Sequence, residues 1–386
     1  MAAWDLSAQL DGIKQQQLYR SRQVIEGPQG AKVTIDGLSY DNFSSNDYLG
    51  LANHPKVAAA FKRAVDGYGV GSGSAHLICG HSQQHHALEE ELAAFTGRER
   101  ALVFATGYMA NLGVIAGLLS KGDEVLQDKL NHASLIDGGL ISGARFRRYP
   151  HGDLTRLEQL LQQSTVEKKL IVSDGVFSMD GDQADLKGLV SLADKSASML
   201  MIDDAHGLGV LGETGAGIVQ QQGLNQQQVP ILMATLGKSL GTAGAFIAGS
   251  EDLIELLIQR ARSYIYSTAM PAAIMAATRV SLQLCQQESW RRDKLRSLIG
   301  QFRDGAEQLG LQLMSSDTPI QPIILGSNER VMSVSKYLKR NKMLVGAIRH
   351  PTVPKNTERL RITLSASHSE AQVDRLLEVL EGASID

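Results

Sequence analysis

Cysteine is scarce in this chain, which has two cysteines among 386 residues. Cys79 and Cys285 lie far apart and show no spacing typical of a metal site or a redox pair, so the sequence predicts a reducing, cytoplasmic setting. Net charge is also small, at −3. It gives no electrostatic reason to expect nucleic acid or an anionic membrane surface as a partner.

Long hydrophobic runs are rare as well. The first 22 residues contain early aspartates and no continuous apolar segment, which argues against an export signal. One uncharged stretch, 101–120, is about long enough to span a bilayer. Thr106, Gly107 and Asn111 interrupt it with a turn signal. We therefore predict a buried strand, a turn and a helix there, and no membrane span.

Glycine is abundant, with 38 residues, and indicates many tight turns. Short apolar runs that end in polar loops alternate with helix-like stretches, which is typical of an α/β fold with a mostly parallel sheet covered on both faces. Seven strands are predicted, at Ala101–Ala105, Glu124–Gln127, Arg145–Tyr149, Leu170–Ser173, Met199–Ile202, Ile231–Ala234 and Ala245–Ala248. Such sheets bind ligands at the carboxyl ends of their strands.

The pattern divides the chain into three segments. Residues 1–45 are predicted to form a helix and a hairpin with Asp36 and Gly37 at its turn. Residues 46–270 contain the seven strands and form a large domain. After Pro271 the pattern changes to long helices with strands near "PIQPIILG" and "RLRITLSA", which predicts a smaller α+β domain at 271–386.

The stretch "TLGKSLG", residues 235–241, resembles the end of a phosphate-binding loop. That loop needs a glycine five positions before Gly237, where backbone amides close around phosphate, and Leu232 stands there instead. A lysine in this apolar, uncharged setting therefore needs another explanation.

The stretch "MLMIDDAHGLGVLG" is an apolar strand that ends in two aspartates. A carboxylate buried at a strand end requires a cation or a hydrogen-bond donor, so Asp203 needs a partner. An ion pair with a surface lysine, or a turn capped by Asp204, are the alternatives. The glycines of this stretch also fit G-x-G-x-x-G, but no amphipathic helix follows, which disfavours a dinucleotide site.

Three further loops follow predicted strands. The loop "ATGYMAN" opens a helix, whose first amides favour a phosphate group. In "LNHASL", His132 follows a strand, although a lone loop histidine is more often a structural hydrogen-bonding group. In "SDGVFSMDGD", Ser178 and Asp180 occupy a tight polar turn.

Histidines also cluster in "GHSQQHHALEEELAAF". His81 and His85 are one helical turn apart, which suits a metal pair, but no third ligand is evident because residues 89–91 predict a solvated helix face. We therefore expect no metal.

Seven motifs, taken in order, resemble the α-oxoamine synthases over nearly the whole chain: "NDYLGL", "HALEEELAAFTG", "ATGYMAN", "DKLNHASL", "DGVFSMDGD", "IDDAHGLGVLG" and "TLGKSLG". That resemblance implies the fold-type I, aspartate-aminotransferase-like fold of pyridoxal 5'-phosphate (PLP) dependent transferases. It further implies a homodimer.

The resemblance assigns roles to individual residues. Lys238 is implied to form the Schiff base with PLP, for which its amine must be neutral. Asp203 is implied to pair with the pyridine nitrogen, and His132 to stack on the ring and act in catalysis. The other implied cofactor residues are Ser178 and His206 at the phenolic oxygen and Gly107, Tyr108 and Thr235 at the phosphate.

For substrates, the resemblance implies L-alanine and a pimeloyl thioester of coenzyme A or of a carrier protein. Arg361 matches the arginine that binds the amino acid carboxylate, a bidentate task. Arg349 suits a substrate with a free distal carboxylate, although a phosphate contact or an interdomain ion pair is an alternative. Arg20, Asn46 and Thr352 match further substrate-side positions.

Three alternatives stay open on the residues alone. A sibling synthase would use glycine or serine with another acyl thioester. A lyase or aldolase would use Lys238 without a cofactor. A non-catalytic subunit with this fold is disfavoured because Lys238, Asp203 and His206 are all present.

Overall fold

The computed structural model describes residues 4–16 and 18–383. The outer ends of the first and last predicted segments therefore lie outside the described residues, as does residue 17. The strands are β1 Lys32–Ile35, β2 Leu38–Phe43, β3 Arg100–Phe104, β4 Glu124–Asp128, β5 Arg145–Tyr149, β6 Lys169–Asp174, β7 Met199–Asp203, β8 Ile231–Thr235, β9 Ala245–Gly249, β10 Ile320–Ile324, β11 Met343–Ile348 and β12 Arg359–Thr363.

The helices connect these strands and cover them. They are α1 Leu6–Gln15, α2 Pro55–Tyr68, α3 Gln83–Thr96, α4 Gly107–Leu118, α5 Ala133–Ile141, α6 Leu154–Gln162, α7 Leu186–Lys195, α8 Ile218–Gln221, α9 Glu251–Arg260, α10 Arg262–Ile265, α11 Ala272–Gln287, α12 Trp290–Gln308, α13 Asn328–Arg340 and α14 Glu370–Glu381. A π-helical turn, His76–Gly80, precedes α3.

The large sheet has seven strands in the order β3-β9-β8-β7-β6-β4-β5. Strand β9 pairs antiparallel with both β3 and β8, and the other pairs are parallel. Each predicted strand matches an observed one to within one residue at both ends. The predicted α/β class with a mostly parallel seven-stranded sheet is confirmed.

Alternate residues along each central strand pack on opposite faces of this sheet. In β6, Leu170 packs in the core that contains α4 and α9, whereas its neighbour Ile171 packs in the core that contains α6 and α7. Successive strand side chains point to opposite faces, so a sheet buried on both sides is apolar at nearly every position. This burial explains the continuous apolar runs of the sequence.

The apolar stretch 101–120 forms strand β3 followed by helix α4, as predicted. Thr106 caps the helix, because its hydroxyl oxygen accepts a hydrogen bond from the backbone N–H of Met109 at 3.2 Å. Across the residues that the structure describes, no helix combines the length and apolar character needed to cross a membrane.

A second sheet has five strands in the order β1-β2-β11-β12-β10. The hairpin is confirmed, with Asp36 and Gly37 both at positive φ in its turn, at 51° and 70°. Its strand β2 runs parallel to β11, pairing Met343 with Asp41. Strand β11, a short strand that follows α13 after two residues, is not among the predicted strands. We propose grouping residues 32–43 with the C-terminal domain.

The prediction of a solvated face at residues 89–91 is wrong for Glu89. This side chain is 9% exposed, and its carboxylate accepts a hydrogen bond from the backbone N–H of Val103 at 2.9 Å. Burial raises the pKa of Glu89 to about 8. The error arose because three consecutive glutamates span more than one face of a helix, and only the first faces the sheet.

The loop after β7 is built around a buried aspartate. Asp204 accepts a hydrogen bond from the backbone N–H of Ile218 at 2.8 Å, and burial raises the pKa of its carboxyl well above the ordinary value. Gly217 lies at a φ of +97°, where a Cβ would lie 1.8 Å from the Asp204 carboxylate. Asp204 is therefore a structural residue that fixes the loop carrying His206.

Candidate active site

A cavity of about 190 Å³ lies at the carboxyl ends of β6, β7 and β8, beside the start of α4. Parallel strands bring their following loops to one edge of the sheet, which is where ligands bind in such folds. The cavity lining includes all eight predicted cofactor residues, namely Gly107, Tyr108, His132, Ser178, Asp203, His206, Thr235 and Lys238.

Lys238 lies in the turn after β8 and points its amine into this cavity. Its Nζ is 2.8 Å from Nε2 of His206. Burial lowers the pKa of Lys238 to about 8, although the carboxylates of Asp203 and Asp174 oppose that effect. A substantial fraction of the amine is therefore neutral near physiological pH, as a nucleophile or base requires.

Asp203 ends strand β7 with its side chain 3% exposed. One carboxylate oxygen accepts a hydrogen bond from the side-chain amide of Asn111 at 2.7 Å, and the other accepts one from the backbone N–H of Ala205 at 3.0 Å. These two donors stabilise the buried charge. They hold the carboxylate where it faces the cavity.

Three residues that were not predicted from the sequence also line the site: Asn111, Ser134 and Asp174. Asn111 also donates to the hydroxyl of Ser134 at 2.8 Å, and that hydroxyl lies 2.7 Å from Nδ1 of His132. The backbone N–H of His132 donates to Asp174 at 2.7 Å. Asn111 was visible as a polar interruption in an apolar run, but its partner lies 92 residues away.

His206 is held from its other side by Tyr48, whose hydroxyl lies 2.7 Å from Nδ1 of His206. Tyr48 is fully buried and donates to Oδ1 of Asn46 at 3.2 Å. Burial lowers the pKa of His206 well below its ordinary value, and the positive charges of Lys238 and Arg361 add to this effect. The imidazole is therefore neutral.

The start of α4 supplies the features of an anion site. Gly107 and Tyr108 line the cavity with the first amides of a 12-residue helix. A Cβ at Gly107 would lie 2.7 Å from Cε of Met233, so no larger residue fits without a shift. The Tyr108 hydroxyl donates to Asp137, and the Thr235 hydroxyl donates to the carbonyl of Gly244 at 3.0 Å.

Of the five predicted substrate residues, two adjoin the cavity and three are not among its lining residues. Arg361, on β12, donates from Nε to the carbonyl of Ser178 at 2.6 Å and from both terminal nitrogens to Oδ1 of Asn46 at 3.3 Å. Arg361 and Asn46 thus adjoin the cavity. Arg349, Thr352 and Arg20 are not among its lining residues, and Thr352 and Arg20 are exposed.

These residues fit PLP. Its anionic phosphate suits the α4 N-terminus, its protonated ring nitrogen suits the Asp203 carboxylate, and its aldehyde suits the buried amine of Lys238. The match between the ring nitrogen and Asp203 is the most demanding of the three, because a buried carboxylate is stable only with hydrogen-bond donors such as Asn111.

A model of the family described as aminotransferase class I and II matches residues 40–380. The chain belongs to this family. Within it, the resemblance to the α-oxoamine synthases is confirmed. The chain is 60% identical to the 8-amino-7-oxononanoate synthase of Nitrosococcus oceani over 365 residues, which cover 95% of this chain and 97% of that protein. It is 57% identical to the enzyme of the same name from Cellvibrio japonicus, covering 97% and 94% of the two chains.

Solved structures of this family have the same fold. The serine palmitoyltransferase of Sphingomonas wittichii superposes with a TM-score of 0.93 at 30% identity, covering 99% of this chain and 97% of that chain. An 8-amino-7-oxononanoate synthase from Francisella tularensis superposes with a TM-score of 0.78 at 31% identity, covering 88% and 96%. The predicted fold-type I class is therefore confirmed.

The buried amine of this family member should titrate near pH 8. In the cofactor-free protein, acetylation of Lys238 should rise with pH around a midpoint near 8, because only the neutral amine reacts. Asp203→Asn removes a carboxylate that raises this pKa, so the midpoint should move lower. Competitive acetylation with peptide mass mapping measures both midpoints.

The exposed Lys62 in the same digest is the internal reference, and its reactivity should be the same in both proteins. A Lys238 midpoint near the value of a free lysine, about 10.4, would contradict the burial argument.

Proposed function

We propose that this protein condenses L-alanine with a pimeloyl thioester of coenzyme A or of a carrier protein. The products are 8-amino-7-oxononanoate, CO2 and the free thiol, a step of biotin biosynthesis, and PLP is the cofactor. The main support for this proposal is the 57% and 60% sequence identity to curated 8-amino-7-oxononanoate synthases along nearly the whole chain. The buried amine of Lys238, which shares a cavity with Asp203, supports the cofactor assignment.

PLP, when bound, supplies an electron sink for negative charge that develops at Cα of the amino acid. In our proposal Lys238 holds its aldehyde carbon, Asp203 its ring nitrogen, and the first amides of α4 its phosphate. His132 and His206 lie on the cavity wall between these anchors and orient the ring. Asn111 donates a hydrogen bond to the Asp203 carboxylate and holds it toward the cavity.

Lys238 moves the proton at Cα of alanine. Its pKa of about 8 leaves the amine partly neutral at physiological pH, so it accepts a proton readily and returns it later in the cycle. His206, held neutral by burial, faces the amine at 2.8 Å and fixes its direction.

Arg361 binds the carboxylate of alanine. Its guanidinium is already oriented by the Ser178 carbonyl and by Asn46, so little side-chain entropy is lost on binding. Anchoring that carboxylate positions the Cα–H bond for Lys238. His132 donates a proton or hydrogen bond to the oxyanion that develops on the thioester carbonyl, and Ser134 orients its ring.

Product analysis tests the reaction. Purified protein supplied with PLP, pimeloyl-CoA and L-alanine should form 8-amino-7-oxononanoate and release CO2, whereas glycine and serine should react poorly. Lys238→Ala should lose the visible absorption band of the bound cofactor and give no product. Preference for glycine or serine would place the protein with a sibling α-oxoamine synthase. Full activity in colourless, cofactor-free protein would overturn the PLP assignment.

We further propose that Arg349 recognises the distal carboxylate of the pimeloyl group. It is partly buried and follows β11, in the same sheet as the Arg361 strand β12. Arg349→Gln should lower kcat/KM for pimeloyl-CoA about 10- to 100-fold, since a charged hydrogen bond contributes about 1.5–3 kcal/mol.

Octanoyl-CoA, which lacks a distal carboxylate, is the matched substrate for this test. Steady-state kinetics should show that Arg349→Gln changes kcat/KM for octanoyl-CoA far less than kcat/KM for pimeloyl-CoA. An equal loss with both thioesters would indicate an interdomain or phosphate contact instead.

The assembly is proposed to be a homodimer. Val70, Ile78 and Tyr266 are 80%, 78% and 71% exposed, and an isolated bridge between Ala75 and Thr268 links their segments. Large exposed apolar side chains in neighbouring segments are typical of an interface. Sedimentation should give twice the chain mass of 41.7 kDa.

Ile78→Asp should weaken this dimer because it buries a charge, whereas Leu38→Asp, at an exposed apolar residue of the β1–β2 hairpin, should not. A monomer for the parent protein at micromolar concentration would contradict the proposal.

We also propose a cytoplasmic location, supported by free thiols at Cys79 and Cys285 and open to test by cell fractionation.

A further inference from the structure

A second cavity, of about 410 Å³, lies against the first turns of α3, separate in its lining from the cofactor cavity. Three histidines and a buried glutamate line one side of it: His76, His81, His86 and Glu89. None of them has a role in the proposed reaction.

Three of these side chains converge on one point. Nε2 of His81 lies 3.8 Å from Oε2 of Glu89, and one ligand atom each of His81, His86 and Glu89 lies within 4.8 Å of the other two. We propose that His81, His86 and Glu89 bind a divalent transition-metal ion, with Zn²⁺ as the expected occupant. Two imidazoles and one carboxylate are a ligand set that Zn²⁺ accepts.

The backbone explains the convergence. Helix α3 begins at Gln83, so His86 and Glu89 are three residues apart on one helical face. His81 precedes the helix and reaches back over its first turn. Zn–N and Zn–O bonds of about 2.0–2.2 Å place tetrahedral ligand atoms about 3.4 Å apart. Separations of up to 4.8 Å must therefore shorten by up to about 1.4 Å, which is within the reach of side-chain rotation.

His85, the metal candidate suggested by sequence spacing, is engaged elsewhere. Its Nε2 lies 2.8 Å from the carbonyl of Met270, and its Nδ1 lies 2.8 Å from the hydroxyl of Ser82. The sequence expectation of no third ligand rested on pairing His81 with His85 and on treating Glu89 as solvated. In the structure His86 and Glu89 complete the set instead.

His76 contacts His81 at the ring nitrogen that does not face Glu89. The two Nδ1 atoms are 3.0 Å apart, which is hydrogen-bond distance. Two neutral rings in such contact share one N–H. When His81 donates it, the lone pair on Nε2 of His81 faces Oε2 of Glu89, and a metal ion that displaces the proton of Glu89 can bind both atoms. An outer hydrogen bond of this kind fixes the tautomer of metal-binding histidines.

Glu89 is also oriented for this task. The backbone N–H of Val103 donates a hydrogen bond to Oε1 of Glu89, and Oε2 of Glu89 faces His81. The cavity beside the three ligands leaves room for water as a fourth ligand. Glu90 and Glu99 add negative charge to its wall, while Arg100, its one lining arginine, contacts Glu255 at 3.1 Å and Glu251 at 3.9 Å. The surroundings therefore favour a cation.

Metal titration of the full-length, tag-free holoenzyme tests this proposal. Calorimetry with ZnCl₂ should show one equivalent bound per chain, and CoCl₂ should give the visible d–d absorption of a low-coordinate site. His86→Ala is the informative variant, because His86 is exposed and its loss leaves the core intact. We expect affinity at least about tenfold weaker and loss of the cobalt band. His54→Asn, which removes another histidine but keeps a helix-capping acceptor, should bind as the parent does.

Glu89→Gln should weaken binding as His86→Ala does, with circular dichroism confirming that each variant is folded. Unchanged binding in His86→Ala would overturn the site. So would loss of binding in Cys79→Ser, which would place the metal on the exposed thiol. Absence of any stoichiometric binding to the parent protein would also refute it.

Discussion

The structure of the site depends on one buried charge, the carboxylate of Asp203 at the end of β7. A buried carboxylate without hydrogen-bond donors is costly, and pairing with a cationic ring requires its oxygens to be held toward the cavity. Asn111 and the backbone N–H of Ala205 supply these donors, one to each carboxylate oxygen. Its charge in turn raises the pKa of Lys238 against the effect of burial, so the amine stays close to the protonation equilibrium that catalysis needs.

The two sheets supply different residues to the site. The seven-stranded sheet holds the proposed cofactor residues at or just beyond its strand ends, where a rigid, doubly covered core fixes their directions. The five-stranded sheet brings Arg361 from β12 to Asn46, which follows the β1–β2 hairpin. Residues 315 apart in the chain therefore meet at one guanidinium. Binding a substrate carboxylate there would couple the two sheets.

Particular residues show which contacts could be predicted. Lys238, Asp203 and His206 stand out as candidates in the sequence because each departs from its surroundings: a lysine in an uncharged stretch, and polar groups at the end of an apolar strand. Asn111 and Asp174 were not assigned, because their importance lies in atoms they contact through the fold. Strand β11 was missed because it pairs with β2 from the other end of the chain. Glu89 was placed on the wrong face because a run of three glutamates does not show which one faces the sheet.

The sequence by itself determined the alternation of strands and helices, the residue types at the strand ends and the order of the motifs. These follow from local periodicity and from the cost of placing polar groups in apolar runs. Only the tertiary structure decided which polar atoms meet, such as Asn111 with Asp203, Tyr48 with His206, and Arg361 with Asn46. The reason is physical: hydrogen bonds and burial depend on distances of a few ångströms between segments that the chain keeps far apart.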